Sequence, residues 1–450
     1  MAEVERRFPD ELVILGVHAP KFPAERAGSS LRAAIQRYEI EHPVFNDADH
    51  DVWTRYAVRA WPTLMFVDAT GRVVGRHEGE ASADELAQAV RGLVERHDAQ
   101  GLLDRRPIPG LRPVALPNTP LAFPGKVLAD PDRDRLFVAD SGHHRVVVAA
   151  LDGTNPWVIG HGATGMADGS AGAARFHGPQ GLAIDGEILY VADTGNHAIR
   201  RVDLASRQVT TIAGTGRIGL GLLEGGPARA LDLRSPWDLA LAGGTLYVAM
   251  AGTHQIWTLD LDQDLLRPYA GTGREGIHDG PIEQAWLAQP SGLARGDGVL
   301  YVADSETSAV RAVDLPPGER VHTLVGSGLF DYGDVDGAGR HARLQHPLGV
   351  AADGGILYLA DTYNHKIKRI YLADRRVESW LGDGQPGDRD GTGSAARFFE
   401  PGGLSVGGGK LYVADTNNHR IRVVDLATDA VTTLHVDPAG NAPAASRPPG

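Results

Sequence analysis

The side chains in this sequence with the means to do chemistry sit in a turn that keeps returning. It reads Asp193-Thr-Gly-Asn-His197, Asp361-Thr-Tyr-Asn-His365 and Asp415-Thr-Asn-Asn-His419. Looser copies carry His143-His144, Thr253-His254 and Thr307-Ser308. A carboxylate, an amide and an imidazole within five residues are the parts of an acid–base pair or a metal site. A metal needs two or three imidazoles around one point, because metal–nitrogen bonds are about 2.0–2.1 Å long. Of 18 histidines, His161, His177, His278, His341 and His346 join His197, His365 and His419 as candidates. They are scattered along the chain without a close-spaced ligand pair, and two copies of the turn break the set. The structural reading is stronger. An Asp that ends a strand accepts turn N–H groups, and Asn tolerates left-handed backbone. No metal or cofactor is expected. The sequence holds no cysteine, so thiolate nucleophiles, disulfides and cysteine-based zinc sites are excluded within it.

A second charged set recurs in glycine-rich stretches such as Gly160-His-Gly…Asp168-Gly and Gly271-Thr-Gly…Asp279-Gly. Arg175, Arg343 and Arg397 stand seven residues after Asp168, Asp336 and Asp390. The spacing reads as three ion pairs that pin each stretch. These glycines are not a dinucleotide fingerprint, which opens a helix after a parallel strand; here another strand follows.

The elements that position both sets are repeats. Leu-Phe-Val-Ala-Asp-Ser at 136–141 returns as Leu-Tyr-Val-Ala-Asp-Thr at 189–194 and in related form at 246–251, 300–305, 357–362 and 411–416. Successive copies are 53, 57, 54, 57 and 54 residues apart. A fixed period of this size marks a repeat architecture. A Pro-x-Gly-(Leu/Val)-Ala run precedes the phrase, as at Pro179, Pro290 and Pro347, and two more strand-like runs follow it. Four short strands per repeat and six repeats make a six-bladed β-propeller. Blade one fits within 126–159 and blade six within 402–436, so no strand need be shared to close the ring. The turn after the second strand and the crossover to the next blade lie at one end. That makes a single loop face, where binding tends to reside on a rigid scaffold.

Asn364-His-Lys-Ile-Lys368 and Asn418-His-Arg-Ile-Arg422 resemble the NHL repeat, and residues 121–436 hold six copies of it. The resemblance implies a six-bladed propeller and roles ranging from protein or RNA binding to, in one branch, a metal-dependent lyase.

Residues 1–97 differ in texture. Leu12-Val-Ile-Leu-Gly-Val17 reads as a buried strand, 30–40 as a helix, 43–45 as a strand, 51–56 as a helical turn. A strand at 60–68 entered through Trp61-Pro62, a hairpin partner at 72–77 and a helix capped by Ser82 and Glu85 complete an α/β layer. The order, with Trp61-Pro62-Thr63 before a central strand, resembles a thioredoxin-like domain lacking its first strand. Its pairing with the propeller resembles the thioredoxin-like NHL-repeat proteins. In that fold the proline is cis beside a Cys-x-x-Cys, a motif this sequence lacks, and a clipped or misassigned start is expected. Residues 98–120 form a proline-rich linker, whose Arg112–Leu116 stretch is open between an added strand and a domain junction. Residues 437–450 have the composition of disorder.

Net charge is −13, from 44 basic and 57 acidic residues. That argues against a broad nucleic-acid footprint, and Lys366, Lys368 and Arg369 read as solvated strand-edge charges. No apolar run is long enough to span a bilayer, and the N-terminus is no secretory signal. A cytoplasmic, monomeric, non-catalytic binding protein is expected, its partner an unknown protein or small ligand. Trp61, Pro62, His197, His365, His419, Arg175, Arg343 and Arg397 are the candidate contacts, on the loop face and in a cleft against the N-terminal domain. The alternatives are a thiol–disulfide oxidoreductase, if a cysteine pair lies upstream of Met1, and a metal-dependent hydrolase or lyase on the propeller face.

Overall fold

The computed structural model describes residues 1–79, 81–106, 114–221 and 224–438. The chain forms two compact units, Met1–Leu116 and Pro117–Gly450.

The second unit is a six-bladed β-propeller. In blade two the strands Leu182–Asp185, Ile188–Asp193, Ala198–Asp203 and Gln208–Ala213 run as an antiparallel meander. The recurring phrase is its second strand. Both faces of that strand are covered, so it reads apolar throughout. Leu189 and Val191 pack into the core shared with blade one, while Tyr190 and Ala192 pack into the core shared with blade three. Each crossover also donates a two-residue outer strand to the blade it enters, such as Gly169–Ser170 to blade two and Gly337–Ala338 to blade five. Four strands per blade thus become five in blades two to six. A Gly-Ser pair has no periodicity by which to find it.

No strand is shared at the closure. Blade one is Pro124–Asp130, Arg135–Asp140, Arg145–Ala149 and Trp157–Ile159. Blade six runs from Pro401–Gly407 to Ala430–Leu434. Side chains join them: Thr416 Oγ1 donates to Pro124 O (2.9 Å), and Ala129 N donates to Ser405 Oγ (3.0 Å).

The ion pairs expected between Asp168 and Arg175, Asp336 and Arg343, and Asp390 and Arg397 do not form. The crossover acids reach further, to the third strand. Asp168 pairs with Arg200 (2.8 Å), Asp336 with Lys368 (3.3 Å) and Asp390 with Arg422 (2.7 Å). The same cations bind the aspartates that end the second strands: Arg200 to Asp193 (2.8 Å), Lys368 to Asp361 (3.4 Å), Arg422 to Asp415 (3.0 Å). Blade four repeats this with Arg311 between Asp304 and Asp279. Arg200, Arg311, Lys368 and Arg422 are fully buried, so Lys368 is no solvated edge charge. The cation stands seven residues after its aspartate, two residues along the neighbouring strand from the aspartate's own partner, and this register defeats the reading from the crossover alone. Arg343 and Arg397 turn instead to Asp331 and Asp383 within their own crossovers.

Blades one and three test the arrangement. In blade three the aspartate is Met250 and the cation Trp257, both buried. In blade one Val147 occupies the cation's place, and Asp140 is paired from Arg145 (2.7 Å) and His143 (2.9 Å). Apolar fill is therefore accepted, as expected when desolvating an ion pair offsets most of its attraction. Removing one partner is different, because it strands a buried charge.

In the first unit, Gly16–His18 pairs in parallel with Val44–Asn46, and Thr63–Val67 forms a hairpin with Val73–Glu78. Helices span Ala2–Arg7, Gly28–Arg37, Asp51–Arg55 and Ala83–Asp98. Ser82 and Glu85 form the expected capping box, and the Trp61–Pro62 bond is cis. The run Leu12–Val17 departs from expectation. Only its end is strand, and Val13 and Leu15 are exposed. With one strand neighbour along one edge, the run finds no second layer for its side chains. The stretch 112–116 lies partly, and the tail mostly, outside the described residues.

Asp415→Ala leaves the Arg422 guanidinium buried beside Asp390 alone. It is expected to cost about 3–5 kcal/mol, while the double change Asp415→Met, Arg422→Trp, which copies the pair found in blade three, recovers part of that loss. Denaturant unfolding of the three proteins checks the order.

Candidate functional site

The recurrent turn is a 3-10 turn, and each of its residues has a mechanical task. In blade two Asp193 Oδ1 accepts His177 N (2.8 Å) from the incoming crossover. Its Oδ2 accepts Asn196 Nδ2 (2.8 Å). Asn196 also donates to Gly165 O (2.6 Å), which ties the turn to the crossover. Thr194 Oγ1 donates to Pro236 O (2.6 Å) in the next blade. The aspartate's donors thus come from the crossover, the third strand and the turn's asparagine side chain, and none from the backbone of its own turn.

The left-handed residue is the histidine, not the asparagine. His144, His197, His254, His365 and His419 have φ between 49° and 57°, with Ser308 in the sixth place. Histidine is one of the few side chains enriched in that region. There Nδ1 faces the following blade and accepts a backbone N–H: Gly178 to His144 (3.2 Å), Ser235 to His197 (3.2 Å), Gln289 to His254 (3.1 Å). His346 N donates to Ser308 Oγ (3.2 Å), Glu400 N to His365 (3.2 Å), and Phe123 N to His419 (3.1 Å), across the closure. Six clasps therefore link all six blades. The imidazoles are spent around the ring and do not converge. Among the described residues no group of three His, Cys, Asp or Glu side chains is placed to hold a metal ion.

The other candidate contacts have local roles. Arg175 contributes its carbonyl to Arg200 (2.8 Å). Trp61 is half exposed, donates Nε1 to Ala19 O (3.0 Å) and packs on Trp53 (4.4 Å between centroids). Pro62 beside it is exposed.

Sequence reading missed the propeller axis. The third residue of Pro-x-Gly is Gly181, Gly292, Gly349 and Gly403 in four blades but Lys126 and Asp238 in blades one and three. The glycines let inner strands touch: a Cβ on Gly349 would lie 2.0 Å from Gly402 O. The Lys126 ammonium crosses the axis. It donates to Ser291 O (2.7 Å) and Leu348 O (2.6 Å) and pairs with Asp238 (3.1 Å). Its three hydrogens have three acceptors on three blades.

What the loop face offers is on two crossovers. In the described propeller residues, the exposed large apolar side chains are Ile218 and Leu220 between blades two and three, and Phe330 and Val335 between blades four and five.

Burial pushes His365 and His419 down to about 4 and lowers His197 as well. This agrees with the clasp, since an Nδ1 that accepts an N–H carries no proton. A lowered folded pKa means that the unfolded chain binds more protons between pH 4 and 6.5. The stability from these rings is complete above 6.5 and drains as pH falls toward 4. Asp193, Asp304, Asp361 and Asp415, pushed by burial up to about 6, act in the opposite sense. The readout is therefore a difference between proteins. His365→Ala is expected to flatten the rise of unfolding free energy between pH 4 and 6.5 by up to about 1.4 kcal/mol per pH unit, measured by denaturant titration across that range.

The NHL repeat family matches residues 176–201, 344–370 and 398–424. These lie in blades two, five and six, the ones that keep both Asn and His. NHL repeat-containing protein 2 of Homo sapiens is 39% identical over 467 residues, covering 96% of this chain and 64% of its own length. Protein SUPPRESSOR OF QUENCHING 1, chloroplastic, of Arabidopsis thaliana is 39% identical over 444 residues, covering 94% of this chain and 42% of its own. The chain thus spans less than two thirds of these relatives. An auxiliary nutrient binding protein from Bacteroides thetaiotaomicron shares the fold, with a TM-score of 0.50, 14% identity and 70% of each chain covered. No helix among the described residues is long and apolar enough to cross a membrane. The chain carries NHL repeats in a six-bladed β-propeller, and NHL repeat-containing protein 2 is among its homologues.

Proposed function

We propose that this chain is a protein-interaction scaffold whose partner docks on the crossover face of the propeller. The observation that carries the reading is the placement of exposed apolar surface. Ile218, Leu220, Phe330 and Val335 all lie on the two crossovers, at 49%, 72%, 77% and 50% exposure. Elsewhere on the described propeller, large apolar side chains are turned inward. Apolar side chains held on a rigid rim are the usual anchors of a protein interface. The imidazoles and carboxylates of the repeated turns are engaged in holding blades, which leaves binding rather than catalysis to that face. NHL-repeat homology supports the same reading.

The first unit reads as a thioredoxin-like adaptor on its element order, with the hairpin and capped helix at its end. Similarity to the relatives runs through it, since they cover 94–96% of the chain. These residues supply no thiol of their own.

A photoreactive residue in place of Phe330, in the full chain, is expected to give a discrete protein adduct in extract of the cells of origin. Leu220→Asp in the same protein should reduce that adduct at least about tenfold, the worth of one interface anchor, with the melting temperature unchanged. Diffuse labelling, or an adduct indifferent to Leu220→Asp, contradicts the docking face.

A further inference from the structure

The crossovers share a staple that one of them lacks. As the chain leaves a blade, a glycine N–H donates back across the loop: Gly160 to Ala171 O, Gly214 to Ala228 O, Gly271 to Ile282 O and Gly382 to Gly393 O, at 2.8–3.3 Å. In three of these crossovers the next N–H does the same: His161 to Ala174 O, Thr215 to Leu231 O, Thr272 to Ala285 O. Between blades four and five, Gly326 and Gly339 stand at the corresponding places, and neither bond is made. Length is not what opens the staple, since Gly214 to Ala228 spans 14 residues with the bond made and Gly326 to Gly339 spans 13.

A cleft of about 540 Å³ lies where it opened, lined by Gly326, Ser327, Gly339, Arg340, Arg375 and His278 among others. The volume falls within the roughly 300–1,000 Å³ of ligand clefts. Gly339 N donates to Arg375 O (3.0 Å), which joins the two arginine-bearing segments along one wall. Arg340 and Arg375 form no ion pair with any described carboxylate; Arg375 makes only a long contact to Thr323 O (3.5 Å). The one carboxylate lining the cleft, Asp279, is already committed to Arg311 (2.9 Å) and to Thr323 N and Oγ1 (3.0 and 2.7 Å). His278, tilted over Trp286, adds a third nitrogen-bearing side chain.

We propose that this cleft binds a phosphate group. Two guanidiniums that no described carboxylate pairs, beside the Gly326 N–H that lacks the staple's acceptor, are donors of the kind that recognise a tetrahedral oxyanion. The group arrives either as free phosphate or on a phosphorylated side chain of a partner. The cleft shares a crossover with Phe330 but is not lined by it, and it is assayed on the purified chain with phosphate alone, so its failure leaves the docking face untouched.

The experiment is calorimetric titration of the full chain with inorganic phosphate and with a phosphoserine peptide. It is repeated on Arg340→Gln, Arg375→Asn, where asparagine accepts the left-handed backbone of residue 375 (φ 58°). One phosphate group per chain is expected, with affinity at least about tenfold lower in the double variant and melting without ligand unchanged. Tighter binding of the peptide assigns the group to a partner; equal affinities assign it to the free ion. Absence of binding by both ligands, or equal affinity in the variant, overturns the proposal.

Discussion

Four of the six blades hold their loops through one buried interaction, the carboxylate at the end of a second strand bound by a cation on the third. Asp193 with Arg200 shows what it does. One carboxylate gathers the incoming crossover, the turn's asparagine and the neighbouring strand. The same guanidinium then reaches out to Asp168, whose own oxygens cap the fourth strand at Thr211. Three strands and a long loop are fixed to a single point. Crossovers with little regular structure keep a defined course because this point exists.

Its energetic meaning is set by the blades that lack it. Met250 and Trp257 fill the same space, and Gln255 holds the outgoing glycine, donating Nε2 to Gly271 O (2.8 Å). A blade is therefore buildable either way, and the ion pair is not required for net stability. What it adds is position. A buried charge tolerates few arrangements, so the loops of blades two, four, five and six are held in one, while blade three holds its crossover by backbone bonds and apolar packing. The clasps complete the frame: each blade fixes the next through a single Nδ1 or hydroxyl.

Much of this was legible in the sequence. Period and phrase are enough for six blades, because a strand covered on both faces must be apolar at every position. The Asn-His pair was recognisable as a structural turn because its copies do not keep a ligand set. The partner of each acid was not legible. Arg175 and Arg200 both follow Asp168, and only the hairpin register brings Arg200 within reach of Asp193, diagonally across the strand pair. The histidine's role was hidden because its acceptor nitrogen serves a residue some 35–38 positions on, in another blade. Leu12–Val17 misled because apolar content reports a preference for burial and not the presence of a covering layer.

The bond from Lys126 to the far side of the axis has a kinetic consequence. Its acceptors at Asp238, Ser291 and Leu348 lie 112, 165 and 222 residues downstream. Contacts of such separation carry the loop-closure entropy of everything between them and form late. The His419–Phe123 clasp spans 296 residues. On a ribosome the first blade leaves the exit tunnel long before its axial partners exist. Until then the ammonium stays in water, and an early blade has no finished neighbour on either side. Only when the last repeat emerges does the ring have a way to shut, which makes the order of synthesis the order of assembly.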